Sequence, residues 1–180
     1  QRLLAFARQQ DLRAVSVDLR ALIEGMVDLL ERSLGPRVEL RLDIPQGLPP
    51  ARIDANQLEL AILNLAINAR DAMADGGRID IKVMEYEATR DPMLSPGRYL
   101  KLSVADTGTG MSPEILQKAI EPFFSSKPLG KGTGLGLSMV HGLAVQLGGA
   151  LQLTSKVGKG TCATLVLPVA SSAPEAESAA

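Results

Sequence analysis

Apolar positions recur along the chain in two rhythms, and the changes of rhythm divide it into elements. Leu19, Leu22, Ile23, Met26, Leu29 and Leu30 recur at helical spacing behind Asp18, a residue suited to cap a helix start. Gly35-Pro36 ends that run. Val38, Leu40, Leu42 and Ile44 then alternate with charged residues, as in a strand with one buried face, and residues 45–50 form a turn-rich connection. Asp54 with Gln57 three residues on has the form of a capping box and predicts a helix to about Met73, stopped at Asp75-Gly76-Gly77. Its two apolar rows, Leu58-Ile62-Leu65-Ala69 and Leu60-Leu63-Ile67, predict burial on most sides. Residues 78–84 and 99–105 alternate as strands on either side of a polar hairpin loop, 85–97. Between 106 and 133 Gly, Pro, Ser and Lys surround one short helix that Ser112-Pro113 would open. Helical spacing returns over 135–147 and stops at Gly148-Gly149, and residues 151–155 and 161–169 form a last hairpin. Residues 15–17 suit a short strand.

Strands joined as hairpins predict a mixed, mostly antiparallel sheet covered on one face by helices, an α/β two-layer sandwich rather than a doubly wound parallel fold. Residues 1–12 read as the tail of a longer preceding helix, 13–169 as the domain, and the tail 170–180 as a linker that is disordered by composition.

Composition narrows the function classes. The 180 residues are 46% hydrophobic and 22% charged, enough for one domain with a sizeable core. A net charge of −1 gives no global field for nucleic acid or anionic lipid. With one cysteine, Cys162, and one histidine, His141, there is neither a disulfide framework nor a multi-Cys or two-His metal site. Trp is absent, so nucleic-acid stacking platforms are not expected. The 17 glycines stand out because many of them cluster.

Three segments carry candidate chemistry. DTGTGM at 106–111 leaves the end of a strand; its carboxylate can hold a donor of a planar ligand, and Gly108 and Gly110 allow close backbone approach, although a tight turn alone would look the same. GKGTGLGLS at 130–138 places four alternating glycines before a helix, so that backbone N–H groups can face an anion. The run lacks the P-loop spacing. Asn64 and Asn68 lie four apart on one helix face with Gln57, Ala61 and Asp71. Such amides are either satisfied core groups or a wet face on which a side-chain carbonyl can bind Mg²⁺.

In order along the chain, these segments resemble the boxes of the GHKL ATPase superfamily, and specifically the catalytic ATP-binding domain of two-component sensor histidine kinases. Residues 64–73 (NLAINARDAM) resemble its N box and 106–111 its G1 box. Residues 121–127 (EPFFSSK) resemble its F box and 130–137 its G2 box. The resemblance covers about residues 15–169 and implies a Bergerat-type sandwich that binds ATP and Mg²⁺ under a lid. It implies that Asn68 coordinates the metal and Asn64 lies near the phosphates. Asp106 would accept from the adenine amine, with Gly110 and Thr161 completing that contact network through water and Gly108 and Met111 beside it. Lys127, Lys131, Gly132, Thr133, Gly134, Leu135 and Gly136 would enclose the phosphates, with Asn64, Asn68 and Lys127 as the catalytic set and Phe123 and Phe124 packing the lid. Asp71, counted with the nucleotide site, stands where many members carry Lys, which leaves Arg70 or a lid lysine to supply that charge.

Gyrase-type and mismatch-repair members carry a glutamate at the position of Asn64, which activates water. An amide cannot act as a base at neutral pH, so transfer to a protein acceptor is favoured over hydrolysis. The alternatives are a conformational ATPase clamp and an anti-sigma-type serine kinase. His141, beside Val140, Leu143 and Ala144, reads as a packing residue, so the acceptor histidine is expected on a helical hairpin preceding this domain. The resemblance further implies a homodimeric parent of a kind that can be membrane-anchored, a cytoplasmic setting and a response-regulator receiver domain as downstream partner, with no nucleic-acid partner. The segment 111–131, poor in contacts of its own, is expected to order around a triphosphate.

Overall fold

The structure, a computed structural model, describes residues 11–121 and 136–171. Its elements are β1 (Val15–Val17), α1 (Leu19–Gly25), α2 (Val27–Leu34), β2 (Val38–Asp43), β3 (Ala51–Ile53), α3 (Ala55–Asp71), β4 (Gly77–Ala88), β5 (Gly97–Asp106), α4 (Pro113–Lys118), α5 (Gly136–Gln146), β6 (Ala150–Lys156) and β7 (Gly160–Pro168). Five strands form one sheet in the order β2-β4-β5-β7-β6, with β2 parallel to β4 and every other pair antiparallel. A second, two-stranded sheet pairs β1 with β3.

Alternation along the strands puts one set of side chains on the helix side. Ile79, Ile81 and Val83, Leu100, Leu102 and Val104, and Ala163, Leu165 and Leu167 pack in one core with Leu58, Ile62 and Leu65 of α3 and Val140, Leu143 and Ala144 of α5. The predicted α/β sandwich is therefore the observed one. On the opposite face Ala88, Tyr99, Ala150 and Val166 form a smaller cluster with Leu94, which comes from the loop between β4 and β5. That loop is held by Tyr86 Oη donating to Asp91 Oδ2 at 3.1 Å and Tyr99 Oη donating to the Ser95 carbonyl at 2.7 Å. The Lys101 ammonium lies 3.8 Å from the Tyr86 ring centre.

Four sequence expectations change. The first helix is two: Gly25, a weak helix former, precedes a break at Met26, while Ile23 and Leu30, seven residues apart, still bury the same face. Residues 51–53, placed next to a turn-rich connection, form a strand too short to show a period. The hairpin loop predicted over 85–97 is shorter, because β4 continues to Ala88, with solvent-facing Glu85 and Glu87 hiding the alternation. Finally, α3 is not buried all round. Its first apolar row is in the core, whereas Leu60 is 55% exposed and Leu63 and Ile67 are half-buried. Asp54 caps α3 as expected, its Oδ1 accepting from Gln57 N–H at 3.2 Å while Oδ2 accepts from Arg13 N–H at 3.0 Å.

Candidate functional site

At one end of the sheet the core rows stop being apolar. Leu100, Leu102 and Val104 on β5 are continued by Asp106, the last residue of the strand, and Leu165 and Ala163 on β7 by Thr161. On β6 Leu151 and Leu153 are followed by Ser155, which lies opposite Thr161 in the ladder. Since Ala105 pairs with Cys162, Asp106 and Thr161 are the next positions of that ladder. A cross-strand row Asp106–Thr161–Ser155 thus closes the core with hydroxyls and a carboxylate.

The row is tightly bonded. Asp106 Oδ1 accepts from Gly108 N–H at 2.8 Å and from Thr161 N–H at 3.2 Å. No other partner of this carboxylate lies among the described residues, which leaves Oδ2 open. Partial burial raises the Asp106 pKa above the ordinary carboxylate value, against the pull of those two N–H donors. Beyond Asp106 the chain is clamped from both sides. Thr109 N–H donates to the Ala72 carbonyl at 3.0 Å, at the C-terminal end of α3. Gly158 N–H donates to the Thr109 carbonyl at 2.7 Å. Gly110 has φ +70°, and a Cβ there would meet the Lys156 carbonyl oxygen, so only glycine fits the passage. Thr107 Oγ1 accepts from Arg78 N–H at 3.0 Å and lies 3.5 Å from Met73 Sδ.

The second wall is α3. Asn64 and Asn68 are half-buried, and neither side-chain amide has a partner among the described residues. Gly136, the first residue of α5, sits against this wall: a Cβ on it would lie 3.3 Å from Asn68 Nδ2. The N-terminus of α5 and the asparagine face are therefore adjacent. Two part-buried side-chain carbonyls with no partner beside a helix N-terminus match the hard oxygen ligands and anion-facing N–H groups that a Mg²⁺–phosphate pair requires.

The structure thus brings Asp106, Gly108, Gly110, Met111 and Thr161 together, and sets Asn64, Asn68 and Gly136 on the adjoining wall. Asp71 is elsewhere engaged, its Oδ1 accepting from Arg70 at 3.0 Å. Arg70 also donates to the Ser33 carbonyl at 2.8 Å, so its guanidinium is turned toward the end of α2. Lys127, Lys131, Gly132, Thr133, Gly134 and Leu135 lie outside the described residues, as do Phe123 and Phe124. Three participants escaped the sequence reading: Ala72 and Thr107, which fasten the carboxylate loop to α3, and Ser155. Alternation counted back from the Val157-Gly-Lys-Gly turn places Ser155 opposite Thr161, so that signal was present in the sequence.

The geometry is that of a sheet end with two helices, α3 and α5, set beside it. A family model described as histidine kinase-, DNA gyrase B-, and HSP90-like ATPase matches residues 53–171. The chain belongs to this family. Within these ATPases it is similar to Sensor kinase CckA of Brucella abortus (strain 2308), 43% identical over 175 residues that make up 93% of this chain and 18% of that protein. Sensor histidine kinase ZraS of Escherichia coli (strain K12) is 34% identical over 168 residues, 93% of this chain and 34% of that protein. The chain therefore spans about a fifth to a third of the length of these relatives. Among solved structures it resembles full-length ShkA in complex with AMPPNP, with a TM-score of 0.74 and 26% identity, over 95% of this chain and 35% of that one. The mycobacterial sensor histidine kinase MprB gives a TM-score of 0.68 at 27% identity, over 90% of this chain and 99% of that one. The chain is the ATPase domain found in two-component sensor histidine kinases.

Proposed function

We propose that this domain binds ATP with Mg²⁺ and transfers the γ-phosphoryl group to a histidine imidazole presented by another domain of its parent protein. One observation carries the reading: the Asp106 carboxylate ends a core row with one oxygen fixed by two backbone N–H groups and the other open. An oxygen so placed accepts from an exocyclic amine, and Thr161 beside it supplies a further polar contact. Asn68, aided by Asn64, would hold Mg²⁺ through its side-chain carbonyl, and the α5 N-terminus, with Gly136, would face the phosphates. Bound there, the ion would neutralise charge on the phosphate oxygens. Asn64 cannot take a proton from water, so this position supplies no base for hydrolysis. His141 is half-buried in α5 between buried Val140 and Leu143, which suits packing rather than acceptance.

The acceptor would be a histidine on a helical hairpin of the parent, through which the parent dimerises, and the phosphoryl group would pass on to a receiver domain. ATP dependence places the domain on the cytoplasmic side. No helix among the described residues is long and apolar enough to cross a membrane. Calorimetry with ATP and Mg²⁺ tests the first step; we expect a dissociation constant from micromolar to sub-millimolar, about −4 to −8 kcal/mol. Labelled γ-phosphate should then reach a hairpin domain added in trans. No heat from a folded sample would overturn the reading.

A further inference from the structure

We propose that Ser155 is a positioning residue that sets the hydrogen-bond polarity of the base contact. It holds the Thr161 hydroxyl as a pure acceptor, so that this end of the cleft selects a purine with an exocyclic amine over its 6-oxo counterpart. The inference rests on the assignment of Asp106 and Thr161 to the base.

The argument is a count of protons around one oxygen. A serine hydroxyl has one proton and two acceptor lone pairs. Among the described residues three polar atoms lie within hydrogen-bond distance of Ser155 Oγ: Met111 N at 2.7 Å, the Gly160 carbonyl oxygen at 3.1 Å and Thr161 Oγ1 at 2.8 Å. The Met111 N–H can only donate, so it takes one lone pair. The Gly160 carbonyl can only accept, so it takes the serine proton. Thr161 Oγ1 is then left to fill the second lone pair, and it does so by donating its own proton. With that proton turned toward Ser155, Thr161 faces the cleft with lone pairs alone. The neighbouring Asp106 Oδ2 is likewise an acceptor when ionised, and the two side chains share one face of adjacent strands. Among the described residues no free side-chain donor stands at this end of the row. A 6-amino purine presents an N–H₂ donor to such a surface, whereas a 6-oxo purine presents a carbonyl that meets only lone pairs.

The same hydroxyl ties the exit of the carboxylate loop, at Met111, to the β6–β7 turn. A purely structural serine would therefore hold the cleft together without touching its choice of base, and the test separates the two roles. Dissociation constants for ATP and for inosine triphosphate, its 6-oxo analogue, are measured on the whole chain, with melting curves confirming the fold. In Ser155→Ala the Thr161 hydroxyl is free to rotate and donate, and we expect the ATP preference to shrink roughly tenfold. Ser155→Thr keeps the hydroxyl and should restore the preference. Thr161→Val removes the oriented group while leaving Ser155 its bonds to Met111 and Gly160, and should shrink the preference by itself; adding Ser155→Ala to it should change the ratio no further. Equal weakening of both nucleotides in Ser155→Ala overturns the proposal. Should Ser155→Ala fail to fold, an unchanged ratio in Thr161→Val overturns it instead. Failure of the underlying assignment reads differently: Asp106→Asn would leave the ATP-to-inosine triphosphate ratio where it was.

Discussion

The two walls of the cleft are built on opposite plans. At the sheet end nearly every polar atom is already matched within the protein: Asp106 Oδ1 by two N–H groups, Ser155 Oγ by three partners, Thr109 by both neighbouring elements. On α3, Asn64 and Asn68 have no partners among the described residues. The first wall is rigid because strand pairing and glycine geometry over-determine it. The second leaves part-buried amides whose hydrogen-bonding capacity a ligand can fill. A rigid end suits a small planar base that must be distinguished from similar ones. An open end suits hydrated phosphates and an ion, whose charge matters more than their shape.

The strongest way to break this contrast is to disturb the rigid wall. Gly160 has φ +106°, and a Cβ there would strike the Asp106 carbonyl oxygen. Gly160→Ala should therefore cost about 2–4 kcal/mol in urea unfolding, from left-handed strain and displacement of the ladder. A midpoint equal to that of the parent would show that this wall yields.

Next in size is Asp106→Asn. Replacing a charged acceptor should weaken adenine nucleotides about 10–100-fold by calorimetry. The fold should not suffer, because the amide oxygen can still accept from Gly108 and Thr161. The pH dependence sharpens the point. Burial raises the folded pKa of Asp106 above its unfolded value. Between those two values the folded state binds more protons than the unfolded one, so this group's contribution to stability falls as pH rises through the window. Thermal melts of the parent should carry that slope and those of Asp106→Asn should not; parallel curves would remove the buried charge from the account.

The open wall should respond otherwise. Asn68→Ala should lose roughly tenfold in ATP affinity only when Mg²⁺ is present, and should bind adenosine like the parent. An equal loss for adenosine would mean that Asn68 touches the base or the fold instead. The smallest effect lies away from both walls. Gly142, within α5, has open space where a Cβ would go, so Gly142→Ala should stabilise by roughly 0.5–1 kcal/mol with binding unchanged.

The contrast also explains what could be read without coordinates. The rigid wall is made of strands and glycines, and its positions follow from alternation: Asp106 at the end of one apolar row, Thr161 at the end of the next. The asparagine pair follows as directly from helical spacing. Less legible were features that depend on a neighbour far along the chain. Gly108 is required because α3 ends at Ala72 beside it, where a Cβ would come within 2.5 Å of the Ala72 carbonyl oxygen. No local pattern contains that contact. Arg70 offered itself as a spare positive charge, yet its guanidinium is taken by the end of α2, thirty-seven residues back along the chain. The outward row of α3 misled because an apolar residue at helical spacing marks a face without saying whether anything covers it.

The strand order has a consequence for how the protein is made. β7, the sheet's final strand in chain order, does not join an edge; it inserts between β5 and β6. During synthesis β5 leaves the ribosome about 60 residues ahead of it, with β4 on one side and nothing on the other. At the usual pace of about 5–20 residues per second, that open edge waits on the order of 3–12 seconds. It carries Leu100, Leu102 and Val104, buried residues of the finished core, which makes it a template for wrong pairing. The same arrival that closes the edge brings Thr161 beside Asp106, so a nascent chain has no complete Asp106–Thr161–Ser155 row until it is also safe from its neighbours.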